Sequence, residues 1–124
     1  MKTALLIFTG SGTGGVLRYL VQKIFVDAGY INFPTGTFVV NIVGCFLIGM
    51  FNALAAKNNL ISAELQLALT TGFCGGFTTF STFANENMNL LRNGEYLYFS
   101  LYIILSVVLG IGAVVLGTNT ARLF

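Results

Sequence analysis

Three short polar patterns hold the chemistry open to this chain, and each lies inside an apolar stretch. The longest is Thr70 to Phe83, TTGFCGGFTTFSTF. In it Gly72, Gly75 and Gly76 precede hydroxyls at Thr78, Thr79, Ser81 and Thr82, and phenylalanines recur at 73, 77, 80 and 83. Phe80, Phe83 and Glu86 are spaced three apart, so on a helix they share one face. Thr37 and Asn41 form the second pattern, four apart on one face. The third is Tyr102, Ser106 and Gly110, again every four residues. No nucleophile–base pair, metal cluster or phosphate loop is among them, so the sequence gives no case for an enzyme. These residue types suit the handling of a small ion. Hydroxyls and amides donate hydrogen bonds, and phenylalanine edges carry partial positive charge while their faces exclude water.

Each pattern also has a plainer reading. A phenylalanine pair at this spacing is ordinarily packing, and serine back-bonding to its own helix accounts for Ser106 taken alone. Asn41 must find partners in lipid, either across a helix interface or in a wet cavity. Glu86 is the more pointed signal, because a carboxylate in a membrane span is costly and faces water or a partner. The glycine-rich stretch is either a helix break built to hold something or a small-residue packing seam. An opened backbone in a bilayer is tolerated only where protein, water or an ion satisfies it.

The elements that would position these residues are membrane helices. Of 124 residues, 56% are hydrophobic and only 8% charged, against about 25% charged in soluble domains. The net charge of +2 is too small and scattered for nucleic acid. Crossing a bilayer takes about 20 mainly apolar residues, and four segments qualify: about 3–25, 34–56, 62–91 and 95–116. The fold class is therefore all-α, a single four-helix transmembrane domain with the third helix broken near its middle. Connections are short. Pro34 suits the first turn of the second helix, Lys57-Asn-Asn59 closes it, and Ser62 caps the third with Glu64 at its positive end. Asn93-Gly94 supplies a left-handed stop. The apolar N-terminus runs on without a cleavage site and reads as a retained span. Cys45 and Cys74 read as small apolar fillers.

Four spans put both termini on one side, with Lys2, Lys57 and Arg122; Lys23, Arg92 and Arg18 lie toward the other. Three basic residues against three give no preferred orientation. That is either chance in a small chain or the mark of a protein inserted both ways round that pairs as an antiparallel homodimer. In the first span, Gly10-Ser-Gly-Thr-Gly-Gly15 matches the dinucleotide fingerprint in form only, since no strand precedes it. Its small residues at 10 and 14 suit close helix contact instead. Arg18, a turn later, either snorkels to the interface or draws anions to a pore mouth.

TGFCGGFTTFSTF, with Gly14-Gly-Val-Leu-Arg-Tyr19 and Asn41-Ile-Val-Gly44, resembles the bacterial Fluc (CrcB) fluoride channel family over essentially the whole chain. The resemblance implies passive, selective fluoride efflux across the cytoplasmic membrane, by an antiparallel, dual-topology homodimer with two pores. It implies a structural sodium ion at the dimer centre, held by the main-chain carbonyls of Gly75 and Thr78. Phe80 and Phe83 would form the family's phenylalanine box, Asn41 would donate to fluoride at the vestibule end, and Arg18 would sit near the mouth. Tyr102 and Ser106 match the fourth-span polar track, Thr37 and Glu86 its ion-linked positions further along, and Ser81 and Thr82 would add hydroxyls. Gly110 stands where some members carry serine. The alternative is a small proton-coupled multidrug antiporter, also of dual topology. It would need a carboxylate in the first span, which has none, leaving Glu86 for that task.

Overall fold

In the computed structural model, which describes residues 1–57 and 60–124, every regular element among the described residues is helical. Helix α1 is Lys2–Asp27 and α2 is Thr35–Ala56. The third span comes in pieces: α3, Ala63–Leu67; a π-helical turn, Ala68–Cys74; α4, Gly75–Phe77; then, past two extended residues, α5, Phe80–Arg92. Helix α6 is Tyr96–Arg122. Helices α1, α2 and α6 are long and apolar enough to cross a membrane. The third span is bent, so none of its pieces crosses alone.

The ends follow from local chemistry. Ser62 Oγ accepts from the Leu65 N–H at 3.2 Å and so caps α3, while Glu64 in the first turn pairs with Lys2 at 2.8 Å. Gly94 adopts φ +73°, where a side chain is strained. There the Glu95 and Gly94 N–H groups return to the Leu90 and Leu91 carbonyls at 2.9 and 3.1 Å, tying off the last turn of α5. Pro34 sits one position before the first turn of α2, as its cap. Lys57 follows α2 in extended conformation; Asn58 and Asn59, the rest of the expected stop, lie outside the described residues.

Packing answers half of the question posed by the glycines. Helix α1 lies along the π turn and α4, and α2 lies along α6. A Cβ added at Gly10 would meet the Ala68 carbonyl oxygen at 2.6 Å, and one at Gly76 would strike the Ser11 carbonyl. Gly72 and Gly76 thus form a packing seam with α1, Gly75 lies exposed outside it, and all three stay helical. The break falls later, at Thr78 and Thr79. At Gly14 a Cβ would meet the main chain of Phe73 and Phe77, which cannot rotate away. Gly14→Ala should therefore cost about 1–3 kcal/mol in thermal unfolding in detergent. Gly12→Ala, with nothing within 4 Å of the added carbon, should cost nothing. Equal melting of the two variants would refute the seam.

Candidate functional site

Thr78 (φ −85°, ψ 162°) and Thr79 (φ −152°, ψ 121°) are extended, so the main chain leaves its helical ladder for two residues. Lipid offers no partner for the groups released; side chains from α1 and α2 supply them. Arg18 Nη1 donates to the Thr78 carbonyl at 3.0 Å. Asn41 grips Thr79 with both ends of its amide: Oδ1 accepts from the Thr79 N–H at 2.8 Å and Nδ2 donates to the Thr79 carbonyl at 3.1 Å. Because the main chain fixes donor and acceptor, the orientation of this amide is determined. The second Nδ2 hydrogen remains free for another acceptor. Thr79 Oγ1 then accepts from the Thr82 N–H at 3.2 Å and caps α5.

Beyond the break, α5 presents the expected stripe. The Phe80 and Phe83 rings lie 5.9 Å apart, tilted by 39°. Phe83 meets Tyr102 of α6 edge-on, with ring centroids 4.9 Å apart. Tyr102 is fully buried, packed on another side against Phe33 at 5.2 Å, and its hydroxyl has no hydrogen-bond partner. The same is true of the buried Ser106 hydroxyl. The Glu86 carboxyl sits beside the Thr37 and Tyr102 hydroxyls, its buried Oε1 making no formed hydrogen bond. Buried polar atoms are normally paired; with Asn87 Oδ1, four on α5 and α6 are not, and of these the Glu86 carboxyl and the Tyr102 hydroxyl lie side by side, which marks this region as one where another group can bind.

Two cavities flank this set. One, of about 510 Å³, is lined by Gln22, Thr37, Thr82 and Glu86 together with Asn32, Asn89 and Asn93. The other, of about 370 Å³, is lined by Asn41, Gly75, Thr78, Phe80, Phe83 and Ser106. Neither lining contains Lys or Arg. Of the expected site residues, Ser81 lines neither cavity; it is exposed, its hydroxyl 3.5 Å from Thr79 Oγ1. Gly110 is buried beside the Cys45 sulfur and offers no donor. Arg18 points into the break and lines neither cavity. Gln22, which donates to Thr37 Oγ1 at 3.0 Å, was not among the expected residues. No signal comparable to that of Asn41 marks it in the sequence, where it adjoins Lys23 toward the end of the first span.

Residues 5–118, a span that holds every one of these side chains, match the family model described as CrcB-like protein, Camphor Resistance (CrcB). The chain belongs to the CrcB family. Among curated relatives, a protein of Phocaeicola vulgatus named "Fluoride-specific ion channel FluC" is 56% identical, over 94% of this chain and 96% of the relative. Proteins of the same name from Bacteroides fragilis and Chlorobaculum tepidum are each 48% identical. They cover 94% and 100% of this chain, and 94% and 98% of their own lengths. Membership in the CrcB family agrees with three membrane-length helices and a fourth, bent one.

Proposed function

We propose that this chain is a fluoride-selective channel that lets the ion leave the cell passively across the bacterial cytoplasmic membrane. The name carried by its CrcB relatives supports this reading, and one observation in the site carries it. Near two cavities whose linings carry no Lys or Arg, unpaired hydroxyls stand on Ser106, in the wall of one, and on Tyr102, with the edge-on Phe83–Tyr102 contact beside them. Fluoride is small and strongly hydrated, so a pore must replace its water with donors. Hydroxyls, the spare Asn41 N–H and ring edges do so without the lysine or histidine that would trap the ion, and conduction needs weak, repeated binding.

The pore is completed, in this reading, by a second copy in antiparallel orientation. Phe80 is 80% exposed in the single chain, and Gly75 is exposed beside it. Both then meet the partner at the dimer centre. A sodium ion there would draw together carbonyls that the break releases. Gly75 O fits that part: the Thr79 N–H that would cap it in an unbroken helix is held by Asn41. Thr78 O already accepts from Arg18, leaving its second lone pair for a cation. Arg18 is then a brace of the broken helix as well as a charge near the pathway.

Efflux from liposomes, read with a fluoride electrode beside a chloride control, tests the function. Rapid fluoride release with negligible chloride release is expected, together with loss of the dimer when sodium is replaced by N-methylglucamine throughout. No fluoride release from folded dimer would sink the channel reading. A dimer indifferent to sodium would sink only the ion.

A further inference from the structure

We propose that Gln22 is a positioning residue for the ion pathway: by donating into Thr37 Oγ1 it turns the single Thr37 hydroxyl proton toward Glu86. The inference rests on the fluoride-channel reading and adds to it a residue on the one helix, α1, that otherwise only packs and braces.

Thr37 is 3% exposed, so its hydroxyl meets little water, and it has one proton to give and two lone pairs to fill. An ionised carboxylate only accepts. Glu86, next to Thr37, can take that proton, and a donor that fills one lone pair of the Thr37 oxygen turns the proton away from itself and toward Glu86. Gln22 Nε2, 3.0 Å away, is that donor. All three side chains line the same cavity of about 510 Å³. The Gln22 bond thus sets the direction of the chain Gln22 to Thr37 to Glu86. A carboxylate whose charge is answered by a donor repels a passing anion less than a bare one. Without Gln22, the Thr37 hydroxyl is free to turn away, and Glu86 faces the cavity unanswered.

The surrounding ionisable groups are few. Glu86 of α5 and Tyr30 of the α1–α2 connection line the cavity, Tyr102 of α6 lies beside Glu86, and Arg18, one turn earlier on α1, is engaged by Thr78. The part of α2 that lines the cavity contributes no ionisable side chain.

Fluoride efflux from liposomes is measured for wild type, Gln22→Leu, Thr37→Val and the double variant, with leak from protein-free liposomes subtracted. Each single variant should conduct about tenfold more slowly, the rate equivalent of one hydrogen bond to a charged site, and the double variant no more slowly than Thr37→Val alone. Gln22→Glu supplies the second readout. Ionised, it accepts the Thr37 proton and reverses the chain, so at pH 7.5 it should be as slow as Gln22→Leu. Toward pH 4.5, near the ordinary value of about 4.3 for a glutamate carboxyl, a growing protonated fraction donates again, and the rate relative to wild type should rise. Unchanged flux in Gln22→Leu, additive losses in the double variant, or a Gln22→Glu profile parallel to wild type would overturn the proposal while leaving the channel intact. A wild-type protein that releases no fluoride would instead remove the reading beneath it.

Discussion

Asn41→Leu should lower stability in detergent by about 2–6 kcal/mol, because it strands two main-chain groups at about 1–3 kcal/mol each. Both belong to Thr79, which is 7% exposed. Its N–H and carbonyl are held by the two ends of one amide, and no shorter or apolar side chain replaces both. Leucine repeats asparagine's branching at Cγ with bulkier tips and no polar atom, so the main loss is one of hydrogen bonding. Asn41→Asp separates the two bonds. It keeps an acceptor for the N–H but sets a carboxylate oxygen against the Thr79 carbonyl, so it should melt below wild type as well. Fluoride flux should vanish in both, since the break and the spare donor are lost together. Wild-type melting of Asn41→Leu would show that the amide is not what holds the helix open.

That brace explains what was legible in the sequence and what was not. The glycines at 72, 75 and 76 are visible as small residues, and the seam that Gly72 and Gly76 make with α1 is a matter of size alone. The position of the break is not visible in the same way. Propensity places it at the glycines, yet they remain helical, and the chain opens at Thr78 and Thr79, which are ordinary threonines. In lipid an opening is decided by where neighbours can answer the released groups. Those neighbours, Asn41 and Arg18, lie 38 and 60 residues away. A side chain's reach across helices is a property of the packed structure. For the same reason Asn41 is readable as a polar outlier, but its grip on the main chain is not. Gln22 shows the limit from the other side. It is an amide like Asn41, but it sits near charged Arg18 and Lys23 at the end of a span, where a polar residue is ordinary. Only its contact with buried Thr37 gives it meaning. The stripe Phe80, Phe83 and Glu86 was legible in full, because helical spacing alone sets it and the chain stays helical from Phe80 to Arg92.

Phe83→Ile should reduce fluoride flux on the order of 30- to 150-fold, the effect on rate of losing about 2–3 kcal/mol of contact with a charged species. Isoleucine keeps an apolar side chain in the wall of the cavity of about 370 Å³, so that wall stays apolar. What it removes is the ring edge, with its partial positive charge. The edge-on partner, Tyr102, at 4.9 Å, would lose an aromatic contact of about 0.5–1.5 kcal/mol, a modest change in melting beside that of Asn41→Leu. Flux and stability should therefore part company: a large fall in one, a small fall in the other. Tyr102→Phe sharpens the comparison. It keeps the ring contact and deletes only the unpaired hydroxyl, so one donor is lost instead of the ring, and flux should fall by about tenfold or less. If Phe83→Ile conducts like wild type, the ring is packing and the donors alone move the ion. If Tyr102→Phe is the slower of the two, the hydroxyl outranks the ring edge, and the order of the pathway's contacts must be redrawn around α6.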